Sequence, residues 1–154
     1  MLKTIPADIQ DQRNKVAEFE GMLSSMPGAV HGDSADFPLN HMFGGGLYCR
    51  EILLPAGSTC VGKIHKTTHP NFILKGRCIV TTNVCDEPVE IIAPMYFYSE
   101  AGVKKVVHAI EDTIWVTVHQ TDETDLEIIE DEIIAKDYNE LAANTNKELL
   151  PCHG

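Results

Sequence analysis

From Leu47 to His119 the chain runs as short segments rich in Val, Ile, Tyr and Phe, each stopped by a turn, with no helical period among them. The segments are LYCREILL, STCVGKIH, NFILK, RCIVTTNV, VEIIA, MYFYS, KKVVHAI and TIWVTVH. Between them lie Pro55-Ala-Gly57, Lys75-Gly76, Asp86-Glu-Pro88, Pro94, Ala101-Gly102 and Glu111-Asp112, residues that set turn geometry or break a ladder. Strands this short and evenly spaced, with no helices among them, point to an all-β unit. The expected architecture is mainly β, a sandwich or barrel, and about eight strands fit a jelly roll.

The flanks have a different texture. Residues 6–26 read as a helix: Pro6 suits the opening turn, Asp8 complements the dipole, and Ile9, Val16, Phe19 and Leu23 share a face until Met26-Pro27-Gly28 stops it. HGDSADFPLNHMFGGG reads as a loop, with Gly44 to Gly46 as a flexible entry turn lacking the helix a phosphate loop needs. Thr124-Asp-Leu-Glu127 is a capping box opening an acidic C-terminal helix with an apolar stripe of Leu126, Ile129 and Ile133. The expected division is a helix and loop over 1–38, a barrel over 39–120, and a helix and tail over 121–154. A chain of 154 residues makes these one domain.

The formal net charge of −11 and the absence of a basic stripe argue against nucleic acid and anionic membrane surfaces as partners. No apolar run reaches the ~20 residues needed to span a bilayer, and the first residues hold no apolar signal core, so a cytoplasmic location is expected. Five cysteines without CxxC spacing are expected to be free, mostly buried thiols. Apolar stripes on two helices and an uncovered strand edge lead to the expectation of a homodimer or higher homo-oligomer.

Histidines supply the chemistry. In GKIHKTTHPNFILKG, His65 and His69 stand four residues apart, the spacing of helical zinc sites, but Pro70 and the β-rich surroundings disfavour a helix. On strands, His65 closes one segment, Lys66-Thr67-Thr68 turns, and His69 opens the next, so both imidazoles meet on one interior face. In KKVVHAI, alternation puts Val106, His108 and Ile110 on one side, and His108 is the third candidate ligand. His119, on the face of Trp115 and Thr117, is expected behind the ligands or at the rim, and His41 near the barrel mouth. Lys63 shares the strand parity of His65 and is a candidate for holding an anionic substrate. His31 and His153 read as incidental.

At these residues the chain resembles the cupins. Their first motif runs from Gly through His-x-His to Glu and on to a Gly about seven positions later. Gly76 matches that last glycine, which puts His69 in the place of the Glu, His65 in the place of the second His and Lys63 in the place of the first. In the second motif Gly102 stands at the Gly, Glu100 where a Pro is usual, and His108 as the final ligand. The phrases GLYCREILLPAGSTCVGKIHK, AGVKKVV and EDTIWVTVHQTDETDLEIIE are similar to a group of small cupin-like proteins of phages and prophages without established activity. This resemblance, over roughly residues 39 to 134, implies a cupin-like jelly-roll barrel and, if phage-encoded, the cytoplasm of a bacterial host.

The expected cofactor is one divalent transition metal (Fe, Zn, Ni, Cu or Mn), since neutral imidazoles suit several. Without a carboxylate ligand, the site implied by the resemblance is closest to the thiol dioxygenase branch of cupins. The leading function is a mononuclear metal-dependent, dioxygenase-like enzyme acting on a small polar substrate. The alternative is a non-catalytic cupin that binds or sequesters a small molecule, such as a nucleotide-like signal, or serves a phage–host interaction.

Overall fold

The computed structural model describes residues 5–142. After helix α1 (Ala7–Ser25) come strands β1 (Leu39–Gly44), β2 (Leu47–Leu54), β3 (Thr59–Val61), β4 (Ile64–His65), β5 (His69–Lys75), β6 (Arg77–Thr82), β7 (Cys85–Ile92), β8 (Met95–Ser99), β9 (Lys105–Ala109) and β10 (Thr113–Gln120). Helix α2 (Leu126–Ile133), strand β11 (Ile134–Ala135) and helix α3 (Asn139–Ala142) follow. Every pairing is antiparallel: a five-stranded sheet in the order β1-β2-β10-β5-β8 faces a four-stranded sheet β3-β9-β6-β7, and β4 pairs with β11. No helix among the described residues is long and apolar enough to cross a membrane.

The mainly β jelly roll and both flanking helices are as expected; several local readings are corrected. Leu39–Gly44 is a strand rather than loop, hairpinned to β2 through Gly45 and Gly46, whose φ values of 59° and 77° suit a tight turn. STCVGKIH splits into two strands at Gly62-Lys63. Glu111-Asp112 is not a hairpin turn, because β9 and β10 lie in different sheets; it carries the chain across the barrel. The C-terminal helix is capped one residue later than expected, by Asp125, whose carboxylate accepts from the amides of Glu127 and Ile128. Cys49, Cys60 and Cys78 are free, but Cys85 is disulfide-bonded.

Helix α1 attaches by polar groups as much as by its stripe. Gln12 donates to the Thr82 carbonyl at 2.8 Å, and the Arg13 guanidinium sits 3.9 Å above the Tyr138 ring. Helix α2 buries Ile129 and Ile133 against Tyr48, while Leu126 stays exposed.

Strand alternation sorts the interior into two levels. At one end Leu54, Ile73, Val107, Ala109 and Trp115 join the main apolar core with Cys78, Val80 and Ile91. The inward rows of the same strands continue as Arg50 and Tyr48 on β2, Asn71 and His69 on β5, Thr117 and His119 on β10, and Lys105 on β9. Register locks the levels together: Trp115 pairs with Ile52 and Ile73, Thr117 with Arg50 and Asn71, and His119 with Tyr48. The apolar core therefore floors a cavity of about 1010 Å³, to which Leu54, Val107 and Trp115 contribute from below and the histidines, Asn71, Arg50 and Lys105 from the other end.

Candidate metal centre

Three imidazoles converge at the polar end. His69 opens β5, and continuing the Thr117–Asn71 register by two residues places His119 of β10 opposite it. His65 comes from β4, held by pairing with Ile134 of β11 and by donation from the Gly102 amide to its carbonyl at 2.9 Å. Ring centroids are separated by 4.3 Å (His65–His69), 4.7 Å (His69–His119) and 5.4 Å (His65–His119). One ring nitrogen from each lies within 4.8 Å of the other two, and His69 and His119 are only 1% and 6% exposed.

The hydrogen-bond inventory shows what the cluster lacks. His69 Nδ1 bonds the Thr67 carbonyl at 3.0 Å, which makes Nδ1 the donor and leaves the Nε2 lone pair free. His69 Nε2, His65 Nδ1 and His119 Nδ1 are buried with no partner. A buried polar atom left unpaired costs roughly 1–3 kcal/mol, and in a cluster this close one ion can serve all three rings. Protons are poor candidates. Burial, reinforced by His69 and Lys105, holds His65 well below the usual imidazole range; burial and His69 push His119 down to about 4; burial lowers His69. The three rings are neutral at physiological pH, the form in which imidazole ligates a metal.

Behind the triad lies a supporting layer. Tyr48 stacks on His119 with centroids 6.2 Å apart and shares a 2.8 Å hydrogen bond with His41 Nδ1, so His41 reaches the centre through Tyr48. Asn71 donates to Ser99 Oγ at 2.8 Å and accepts from the Trp115 indole at 2.9 Å, fixing the floor beneath His69. Ordered second layers of this kind orient the ligands of metal sites.

His108, the expected third ligand, does not join this group. On β9 the inward positions are Lys105, Val107 and Ala109, so His108 points outward, exposed, and bonds Thr59 Oγ1 at 2.7 Å. The error was one of parity, and His119, expected behind the ligands, stands in the triad instead. Its signal was present in the sequence: Trp115 and His119 share parity, and a core tryptophan makes that face interior. Lys63 lies exposed at the cavity rim, its ammonium ion-paired with Glu130.

A β-barrel with an apolar core at one end and inward histidines at the other defines a class, the cupin-like jelly roll. Two solved structures align with the chain at TM-scores above 0.5. Ectoine synthase from P. lautus aligns with a TM-score of 0.53 at 16% identity, over 66% of this chain and 76% of that one. Salicylate 1,2-dioxygenase from Pseudoaminobacter salicylatoxidans aligns at 0.52 and 12% identity, over 80% of this chain and 34% of that one. A cupin superfamily protein from Desulfitobacterium hafniense aligns at 0.49 and 8% identity, over 61% of this chain and 85% of that one. At such identities the likeness is one of fold. No protein-family model and no curated protein matches the sequence.

Proposed function

We propose that the chain is a metal-dependent enzyme of the cupin type that holds one divalent transition metal on His65, His69 and His119 and acts on a small polar molecule. The observation that carries this reading is the convergence of three imidazoles, with one ring nitrogen of each within 4.8 Å of the other two and each ring holding a buried nitrogen without a partner. The donors fit Fe, Zn, Ni, Cu or Mn, and three protein ligands leave positions for substrate, as a catalytic site requires. Such a metal would supply Lewis acidity toward a substrate oxygen or, if redox-active, chemistry of the oxygenase kind. The chain's own contribution is positional. Thr67 sets the His69 tautomer, Tyr48 stacks on His119, and the apolar core beneath the cavity holds the strands that carry the ligands. Two proteins sharing the fold are named as a dioxygenase and a synthase, which supports catalysis as a use of such a barrel.

Elemental analysis of protein purified without a histidine tag, before and after loading, tests the proposal. The expected result is close to one metal per chain in wild type and in His108→Ala, and loss in His65→Ala, His69→Ala and His119→Ala. Wild-type retention in His119→Ala, or loss in His108→Ala, would refute this ligand set. A protein that holds metal but turns over no small molecule would be a sequestering module instead.

A further inference from the structure

We propose that the cavity recognises a small carboxylate-bearing molecule, and that Lys105 is the residue that binds its charge. This deepens the reading above by naming a substrate class for the same cavity, but it does not depend on the metal.

Three carboxylates line the cavity, and each already faces a cation other than Lys105: Glu20 meets Lys104, Asp33 meets Arg50 at 3.6 Å, and Glu130 meets Lys63. Of the lining cations this leaves Lys136, exposed on the surface, and Lys105. No ion pair involves Lys105 among the described residues. Its position is set by the fold: β9 turns Lys105 inward above Val107 and Ala109, and its carbonyl accepts from the Gly62 amide at 2.8 Å. It lines the same cavity as the three histidines. Burial alone pushes the amine down to about 8, so it remains mostly protonated at neutral pH.

Lys105 is half-buried, and an ammonium without a counter-ion is costly to the extent that it is desolvated; a bound anion offsets that cost. One uncompensated positive charge matches one carboxylate. A phosphomonoester dianion would leave a negative charge unmatched in the same interior. Arg50, which lines the same cavity one strand from His119, is already paired with Asp33, and this leaves Lys105 as the uncommitted cation beside the histidines.

The test uses benzoate, its neutral isostere benzamide, and phenyl phosphate as probes on the full chain. Trp115, the single tryptophan and a cavity-lining residue, reports binding by fluorescence. Titrations are run in EDTA and again after zinc loading, so that loss of metal binding and loss of anion binding are read separately. Benzoate is expected to bind at least tenfold more tightly than benzamide and phenyl phosphate in EDTA. Lys105→Met should erase that preference, and Lys105→Arg should keep most of it. Because Lys105→Met removes an unpaired charge, its urea midpoint should rise. Equal binding of benzoate and benzamide, preference for phenyl phosphate, an undiminished preference in Lys105→Met, or a lowered midpoint in that variant would each overturn the proposal.

Discussion

Gly76 joins β5 of one sheet to β6 of the other, and its replacement by alanine should be among the most damaging single-methyl changes in the molecule. Two costs combine. Its φ of 92° lies where an L side chain is strained by about 1–2 kcal/mol. A Cβ there would also sit 2.3 Å from the Asp112 carbonyl oxygen, 2.7 Å from Thr113 Oγ1 and 2.8 Å from Thr113 Cα. Two of those atoms are backbone, in the connection carrying the chain from β9 into β10, so the clash is relieved only by moving the strand that bears Trp115 and His119. Overpacking of this sort adds roughly 1–3 kcal/mol. The expected total is about 2–5 kcal/mol, measured by urea denaturation of the metal-free protein. Gly57 is the control: its φ of 82° is similar, but a Cβ there meets nothing within 4 Å. Gly57→Ala should therefore show strain alone, partly offset by a stiffer unfolded chain, for a net of about 0–1.5 kcal/mol. If the two variants lose equal stability, the steric account of Gly76 is wrong.

Trp115, 6% exposed and edge-on to Phe97 at 5.7 Å, should emit as a buried indole, and Trp115→Ala should cost about 3–5 kcal/mol in a chemical melt; solvent-exposed native emission would contradict its placement. The metal-free fold should lose stability on acidification. His65 and His119 have folded pKa values below the ordinary ~6.5, so the unfolded chain binds more protons as pH falls from there toward about 4. The urea midpoint should drop between pH 7 and 5, less steeply in His119→Phe, and an identical slope in that variant would exclude the histidine as the cause. Self-association is expected through the outer face of β5 and β8, where Phe72, Leu74, Tyr96 and Tyr98 are exposed beside the free edge of β8. Light scattering should show a dimer or larger, shifted toward monomer by Tyr96→Lys/Tyr98→Lys; a wild-type monomer at micromolar concentration would end that reading.

What the sequence revealed and what it hid follow from how far apart the informative residues are. Strand interiors are local facts: LYCREILL and MYFYS coincide with β2 and β8 because alternation and bounding turns decide them within a few residues. The His65–His69 pair was legible for the same reason, since one turn separates them. The third histidine was not, because choosing between His108 and His119 needs the parity of β9 relative to the cavity, and β9 and β10 belong to different sheets. The resemblance to the second cupin motif favoured His108, which the alternation of Val107 and Ala109 turns outward. Helix stripes misled in another way. Ile129 and Ile133, offered as surfaces for a partner, are buried against Tyr48 of their own chain, so the apolar surface left for a second copy lies on the sheet instead. Lys105 shows the deepest limit. In KKVVHAI it is one of two adjacent lysines, and nothing local separates Lys104, paired with Glu20, from Lys105, which has no carboxylate partner among the described residues. Both lysines are half-buried and line the cavity, and what separates them is that Lys104 reaches Glu20 of α1 while Lys105 is left without a carboxylate.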